Sequence, residues 1–217
     1  MPRRYIIIGN GDIHNYCWYK SLLTRDDVIV CADGGARHAM AMNIIPDIVL
    51  GDFDSLNSDI KDTLLNTKCK FIGFPEEKDM TDTELALKWC MAREPTDVIL
   101  MGVLGTRMDH SIANILLLTE LPDNINIKVI NEYNEIFILK KQVFIFGSPG
   151  DMVSIIPLSE KVKGVSTKGL KYILRDGLLE IGSSRGISNE MVGSVASIKI
   201  TEGIAIVTRA WDQPCGN

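Results

Sequence analysis

Six short apolar runs constrain the fold of this chain most. They span residues 5–8, 28–31, 48–50, 70–74, 98–101 and 127–130. The runs are rich in Val and Ile, and they are nearly continuous rather than alternating. Strands buried on both faces of a parallel sheet read this way. Helical patterns lie between them. Residues 36–42 form a short one, stopped by Asn43 and Pro46. Over residues 81–93, Leu85, Trp89 and Ala92 make an apolar stripe, and Thr81 with Glu84 supplies a capping box at its start. Residues 110–121 place Ile112, Ile115, Leu116 and Thr119 on one side, with Pro122 just past the end. Alternating strands and helices imply right-handed crossovers and a mainly parallel α/β sheet.

The pattern changes after about residue 133. Strand-like runs follow at 135–139, 143–146, 152–156, 162–167, 170–174, 178–181, 195–200 and 204–208, punctuated by Gly, Pro and Asp. That spacing predicts an all-β sandwich. The expected organisation is an α/β domain over 1–133 followed by a β-sandwich domain over 134–217. A chain of 217 residues accommodates both, and a hydrophobic share of 46% supplies their cores.

In a parallel α/β sheet, ligands bind beyond the carboxyl ends of the strands. The segments that follow the first five runs therefore carry the functional argument. They are Gly9-Asn10-Gly11-Asp12, Asp33-Gly34-Gly35, Gly51-Asp52-Phe53-Asp54-Ser55, Glu76-Glu77-Lys78-Asp79-Met80-Thr81-Asp82, and Gly105-Thr106-Arg107-Met108-Asp109-His110. Gly and Asp are ordinary turn residues, but five such loops on one edge point to a site. Asp52 and Asp54 suit a hard cation such as Mg²⁺, or else a turn in which Asp54 or Ser55 caps the next helix. Lys78 suits a phosphate. Asp79 and Asp82 suit a metal or an acceptor hydroxyl, while Thr81 and Asp82 also fit a plain helix start. Arg107 ahead of a helix suits bidentate phosphate binding, with Asp109 either sharing that site or serving as an N-cap.

Several classes are set aside. The net charge of −5, with mixed signs, offers no basic stripe for nucleic acid. Cys17, Cys31, Cys69, Cys90 and Cys215 are odd in number and form no C-x-x-C pair, which argues against a disulfide framework or a zinc site. The first apolar run ends after four residues, too short for a signal peptide, and no run is long enough to span a bilayer. A cytoplasmic location without membrane attachment is the expectation. There is no P-loop, no G-x-G-x-x-G in the first loop and no G-x-S-x-G elbow.

The order of these motifs resembles the thiamine pyrophosphokinase family. It comprises Asp33-Gly34-Gly35-Ala36, Pro46-Asp47, Gly51-Asp52-Phe53-Asp54-Ser55, Lys78-Asp79-Met80-Thr81-Asp82, and Arg107-Met108-Asp109-His110 with Asn114. In the second half, Pro157-Leu158-Ser159, the segment from Gly164 to Tyr172, and Gly186-Ile187-Ser188-Asn189-Glu190 resemble the same family. The resemblance implies transfer of pyrophosphate from ATP to thiamine, releasing AMP. It implies Mg²⁺ on Asp52, Asp54 and Asp82, with catalysis by these residues and Asp79. It implies that Asp33, Lys78, Thr81, Arg107, Asp109 and Asn114 face ATP, and that Ser188 and Asn189 hold the thiamine pyrimidine. It also implies a homodimer with composite active sites. Members commonly carry Gly-Gly-Arg where this chain has Gly105-Thr106-Arg107. Threonine fits poorly there if that position needs a positive φ. Two other readings of the acidic loops are an Asp-dependent phosphohydrolase and a non-catalytic nucleotide sensor.

Overall fold

The structure, a computed structural model, describes residues 3–75, 77 and 79–211. The chain divides into two compact units, one ending at Glu132 and the next beginning at Tyr133.

The first unit is built on six strands: β1 (Arg4–Ile8), β2 (Val28–Ala32), β3 (Ile48–Gly51), β4 (Lys70–Gly73), β5 (Asp97–Met101) and β6 (Asn126–Ile130). All pair in parallel, in the order β6-β5-β1-β2-β3-β4. Ile6, Ile7, Ile8, Val49, Leu50, Leu100 and Met101 are fully buried, as strands covered on both faces require. β4 closes one edge, and its ends are exposed. Five helices intervene: α1 (Tyr16–Ser21), α2 (Ala36–Ala41), α3 (Ser58–Leu65), α4 (Asp82–Met91) and α5 (Met108–Leu116). The side chain of Asn57 caps α3, and the Thr81 hydroxyl accepts the Glu84 N–H at 3.2 Å to cap α4.

The expected face of the last helix is reversed. Ile112 and Leu116 of α5 are exposed, whereas Ser111 and Asn114 are buried. These two polar side chains turn inward to hold the loop that precedes the helix.

The second unit has two antiparallel sheets. One is β7 (Asn134–Leu139), β14 (Ala205–Ala210), β9 (Met152–Pro157) and β12 (Asn189–Glu190). The other is β8 (Gln142–Phe146), β13 (Val195–Lys199), β10 (Lys161–Lys168) and β11 (Gly177–Glu180). Alternate residues from both sheets fill one core, including Leu139, Val153, Ile155 and Val207 from the first and Ile145, Val162, Val165 and Ile198 from the second. The strand expected over 170–174 does not form. Leu170 makes a single bridge to Met191, and the chain then turns, with the Thr167 N–H donating to the Leu174 carbonyl. Among the described residues, no helix is long and apolar enough to cross a membrane.

Candidate active site

The strand order reverses direction around β1. The chain runs outward from β1 to β4, then returns to place β5 on the other side of β1. This is the topological switch point, the place where open α/β sheets bind ligands. A cleft of about 450 Å³ opens there, lined by Asn10 and Asp12 after β1, Asp33 after β2, Thr81 and Asp82 at the start of α4, and the loop after β5. Gly11 lets the two loops touch. Its N–H donates to the Gly102 carbonyl at 2.6 Å, and a Cβ there would lie 2.7 Å from that oxygen. The Asp12 N–H donates to the Leu104 carbonyl at 2.8 Å.

The β1 loop is held from other sides too. Arg37 donates to the carbonyls of Asn10 and Gly11 at 3.0 and 3.2 Å. Nε2 of buried His38 lies 2.9 Å from the Gly11 carbonyl, so it carries the proton, and Nδ1 accepts from the Tyr16 hydroxyl at 2.9 Å. Burial lowers the His38 pKa, in keeping with a neutral ring. The Glu132 carboxylate, nearly buried, accepts the N–H groups of His14 and Asn15 and the Tyr19 hydroxyl. Neither His38 nor Glu132 is legible as a loop brace in the sequence, because isolated titratable residues carry no spacing signal.

Asp33, Asp52 and Asp82 come together, each with a carboxylate oxygen within 4.8 Å of the others. Asp33 follows β2, Asp52 follows β3 and Asp82 opens α4, so three elements converge. Asp33 is 4% exposed and has φ 44°. Its Oδ2 accepts the Ser55 N–H at 3.2 Å, and its Oδ1 is buried without a hydrogen-bond partner. Burial, together with the charge of Asp82, raises its pKa. Gly51 makes the room. A Cβ there would lie 2.9 Å from Asp33 Cβ and 3.1 Å from Asp82 Oδ1. Three clustered carboxylates, with Asp33 Oδ1 orphaned, fit a hard divalent cation such as Mg²⁺.

The sequence reading grouped Asp54, not Asp33, with this set. Asp54 is exposed on the same loop, and its Oδ1 takes the Ser55 hydroxyl at 2.9 Å. Asp79 is also exposed. Lys78 lies outside the described residues.

On the loop after β5, Arg107 occupies the N-cap position of α5 without a capping side chain, and Asp109 sits in the first turn. The two side chains pair at 3.2 and 2.5 Å, both exposed. Arg107 holds the Asp109 carboxyl down at about 2. Thr106 is not among the described non-glycine residues with positive φ, so threonine is compatible with this loop. The Ser111 hydroxyl donates within reach of the Gly105 and Arg107 carbonyls, and Asn114 Nδ2 donates to the Val103 carbonyl at 2.7 Å. Asn114 lines the cleft, but its amide nitrogen is already engaged in shaping the loop.

In the second unit, Ser188 is exposed with φ 58°, and its N–H donates to the Ser154 hydroxyl at 3.0 Å. Asn189 is half-buried. Its Oδ1 accepts the Tyr172 N–H at 2.9 Å, and its Nδ2 donates to the Tyr172 carbonyl at 2.7 Å.

Comparison with known proteins accounts for both units. Residues 19–130 match the family model described as "Thiamin pyrophosphokinase, catalytic domain", and residues 135–205 match "Thiamin pyrophosphokinase, vitamin B1 binding domain". The chain is 31% identical to a thiamine pyrophosphokinase of Bacillus subtilis (strain 168) over 191 residues, covering 83% of this chain and 86% of the relative. It is similar to the crystal structure of a thiamine pyrophosphokinase from Bacillus subtilis, with TM-score 0.86, 28% identity, and coverage of 97% of this chain and 100% of the other. It is also similar to that of a thiamin pyrophosphokinase from Geobacillus thermodenitrificans, with TM-score 0.85, 28% identity, and coverage of 98% and 100%. With both family domains matched in order along one chain, this chain belongs to the thiamine pyrophosphokinase family.

Proposed function

We propose that this protein transfers a pyrophosphoryl group from ATP to the hydroxyl of thiamine, giving thiamine diphosphate and AMP. The observation that carries this reading is the convergence of Asp33, Asp52 and Asp82 beside the switch-point cleft, in a chain of this family.

In this reading Asp33, Asp52 and Asp82 hold Mg²⁺, and Asp54 adds negative charge at the rim. The bound ion would draw charge off the phosphate oxygens. The thiamine oxygen forms a bond to the β-phosphorus, and the bond from that phosphorus to the α–β bridging oxygen breaks, so AMP leaves with the bridging oxygen. Such transfer needs positioning and charge neutralisation more than covalent chemistry. Lys78 and Arg107 supply positive charge toward the phosphates, and Arg107 exchanges Asp109 for a phosphate oxygen. Asp109 and Asn114 set the geometry of the nucleotide loop, while Thr81 fixes the start of α4 and hence Asp82. The hydroxyl proton goes to a carboxylate. Asp79 suits that role better than Asp82, because a metal-held carboxylate is a poorer base. Thiamine is taken up by the second unit around Ser188 and Asn189, in a homodimer whose sites combine residues of both subunits.

The test is incubation with ATP, Mg²⁺ and thiamine, with products resolved by mass. AMP and thiamine diphosphate in equal amounts, formed only when thiamine is present, support the reading. Phosphate release without an acceptor would replace it with hydrolysis.

A further inference from the structure

Phe53 stands between Asp52 and Asp54 in a backbone shape that bulky residues avoid. Its φ is 67°, in the left-handed region where a Cβ crowds the neighbouring carbonyl. Such strain persists only where the surroundings over-determine it. Here the ring supplies the constraint. It meets Phe71 of β4 edge-on, with centroids 5.5 Å apart and planes at 72°. The Lys61 ammonium, from α3, lies 5.3 Å from the ring centroid. The ring edge also reaches Gly73 at the end of β4, where a Cβ would lie 3.4 Å from Cε2. One side chain on the loop after β3 therefore touches both the edge strand and the following helix.

The shape of residue 53 has a consequence for Asp52. The chain turns there, and the Asp54 N–H donates to Asp52 Oδ1 at 3.2 Å. The Asp52 carboxylate is thus tied to its own turn, with an oxygen within 4.8 Å of oxygens on Asp33 and Asp82. Residues 52–57 belong to no strand or helix, so contacts outside any ladder must fix this turn. Buried Leu56 and the Ser55 N–H, which donates to Asp33, hold its far end. The Phe53 ring holds the near end.

We propose that Phe53 is a positioning residue for the metal site. Its ring, clamped by Phe71, Gly73 and Lys61, keeps residue 53 in the left-handed turn that aims Asp52 at Asp33 and Asp82. The proposal rests on the reading of these three carboxylates as Mg²⁺ ligands.

Thermal melts of the full-length protein across a Mg²⁺ series, without nucleotide, give an apparent Mg²⁺ dissociation constant that does not depend on activity. Phe53→Gly is the informative variant, because glycine takes the turn without strain but has no ring. Its Mg²⁺ dissociation constant should rise about tenfold or more, as when a group that orients a metal ligand is lost. The thiamine KM should stay unchanged. Mg²⁺ binding equal to wild type in Phe53→Gly would overturn the proposal, whatever the melting temperature of the metal-free variant. If Phe53→Gly does not fold, Phe53→Leu and Phe53→Ser decide. Both keep a Cβ on the strained backbone, but only leucine retains an apolar anchor against Phe71. Tighter Mg²⁺ binding by Phe53→Leu supports the proposal, and equal binding by the two overturns it. If the wild-type protein gains no stability from Mg²⁺, the metal reading falls and the proposal with it, a result visible before any substitution is made.

Discussion

Asp33 combines a positive φ, near-complete burial and a carboxylate oxygen with no hydrogen-bond partner. Each of these is unfavourable alone, and a left-handed non-glycine residue costs about 1–3 kcal/mol. Their coincidence beside Asp52 and Asp82 fits the proposed role of Asp33 as a cation ligand. Asp33→Asn keeps the shape and removes one of three clustered charges. The metal-free variant should therefore melt a few degrees higher than wild type, because less like charge is crowded together. It should also lose most of the stabilisation that added Mg²⁺ gives the wild type, and lower turnover by at least about a hundredfold. Thermal melts with and without Mg²⁺, paired with the AMP assay, check both halves. Equal Mg²⁺ stabilisation in the two proteins would remove Asp33 from the metal set. Arg107 permits a second test at this scale. Its guanidinium is paired with Asp109, so phosphate must compete for it. Arg107→Ala should raise the ATP KM roughly tenfold with little change for thiamine, whereas Asp109→Asn should leave it equal or lower. A higher ATP KM in Asp109→Asn would show that the carboxylate serves the nucleotide directly.

The six parallel strands are legible in the sequence because burial on both faces demands unbroken runs of Ile, Val and Leu, and β1 and β5 satisfy that demand. Helices α1 and α3 are not legible. One is six residues long, the other buries only Leu64, and neither carries a stripe that periodicity could detect. Helix α5 misleads in a different way. Ser111 and Asn114 face inward because the β5 loop needs hydrogen-bond partners, and hydrophobic pattern alone cannot register such a need. The same limit hid Glu132, which braces the start of α1. Burial pushes its pKa up, but the His14 and Asn15 N–H groups and the Tyr19 hydroxyl outweigh burial and leave it lowered. A carboxyl lowered on folding adds stability above its unfolded pKa, and that stability is lost as pH falls through the folded value. Wild type should therefore lose stability below about pH 4.5 faster than Glu132→Gln does. At neutral pH the variant should be less stable by about 1–3 kcal/mol. Urea unfolding across pH 3–7 measures both, and parallel pH profiles for the two proteins would refute the assignment.

In the proposed reading, the nucleotide and metal residues belong to the first unit and the acceptor residues to the second. The order of the two domains is legible because the hydrophobic pattern changes from continuous runs to short alternating strands near residue 133. The proposed acceptor residues Ser188 and Asn189 are not legible from pattern, since they lie at a positive-φ turn and in a two-residue strand that carry no periodicity. If the active site combines the two units of different subunits, complementation follows from symmetry. In a dimer of one Asp52→Asn subunit and one Asn189→Ala subunit, one site collects both substitutions and the other collects neither. Subunits mixed in equal amounts and allowed to exchange give half their dimers in this form. Thiamine-dependent AMP formation should then recover to about a quarter of wild type, assayed at thiamine well below KM, where Asn189→Ala alone is weak. If each site lies within one subunit, no mixed dimer holds an intact site, and activity stays at the mean of the two parents. Native mass spectrometry confirms that exchange has taken place. Exchange without recovery would assign nucleotide and acceptor residues of one site to the same chain.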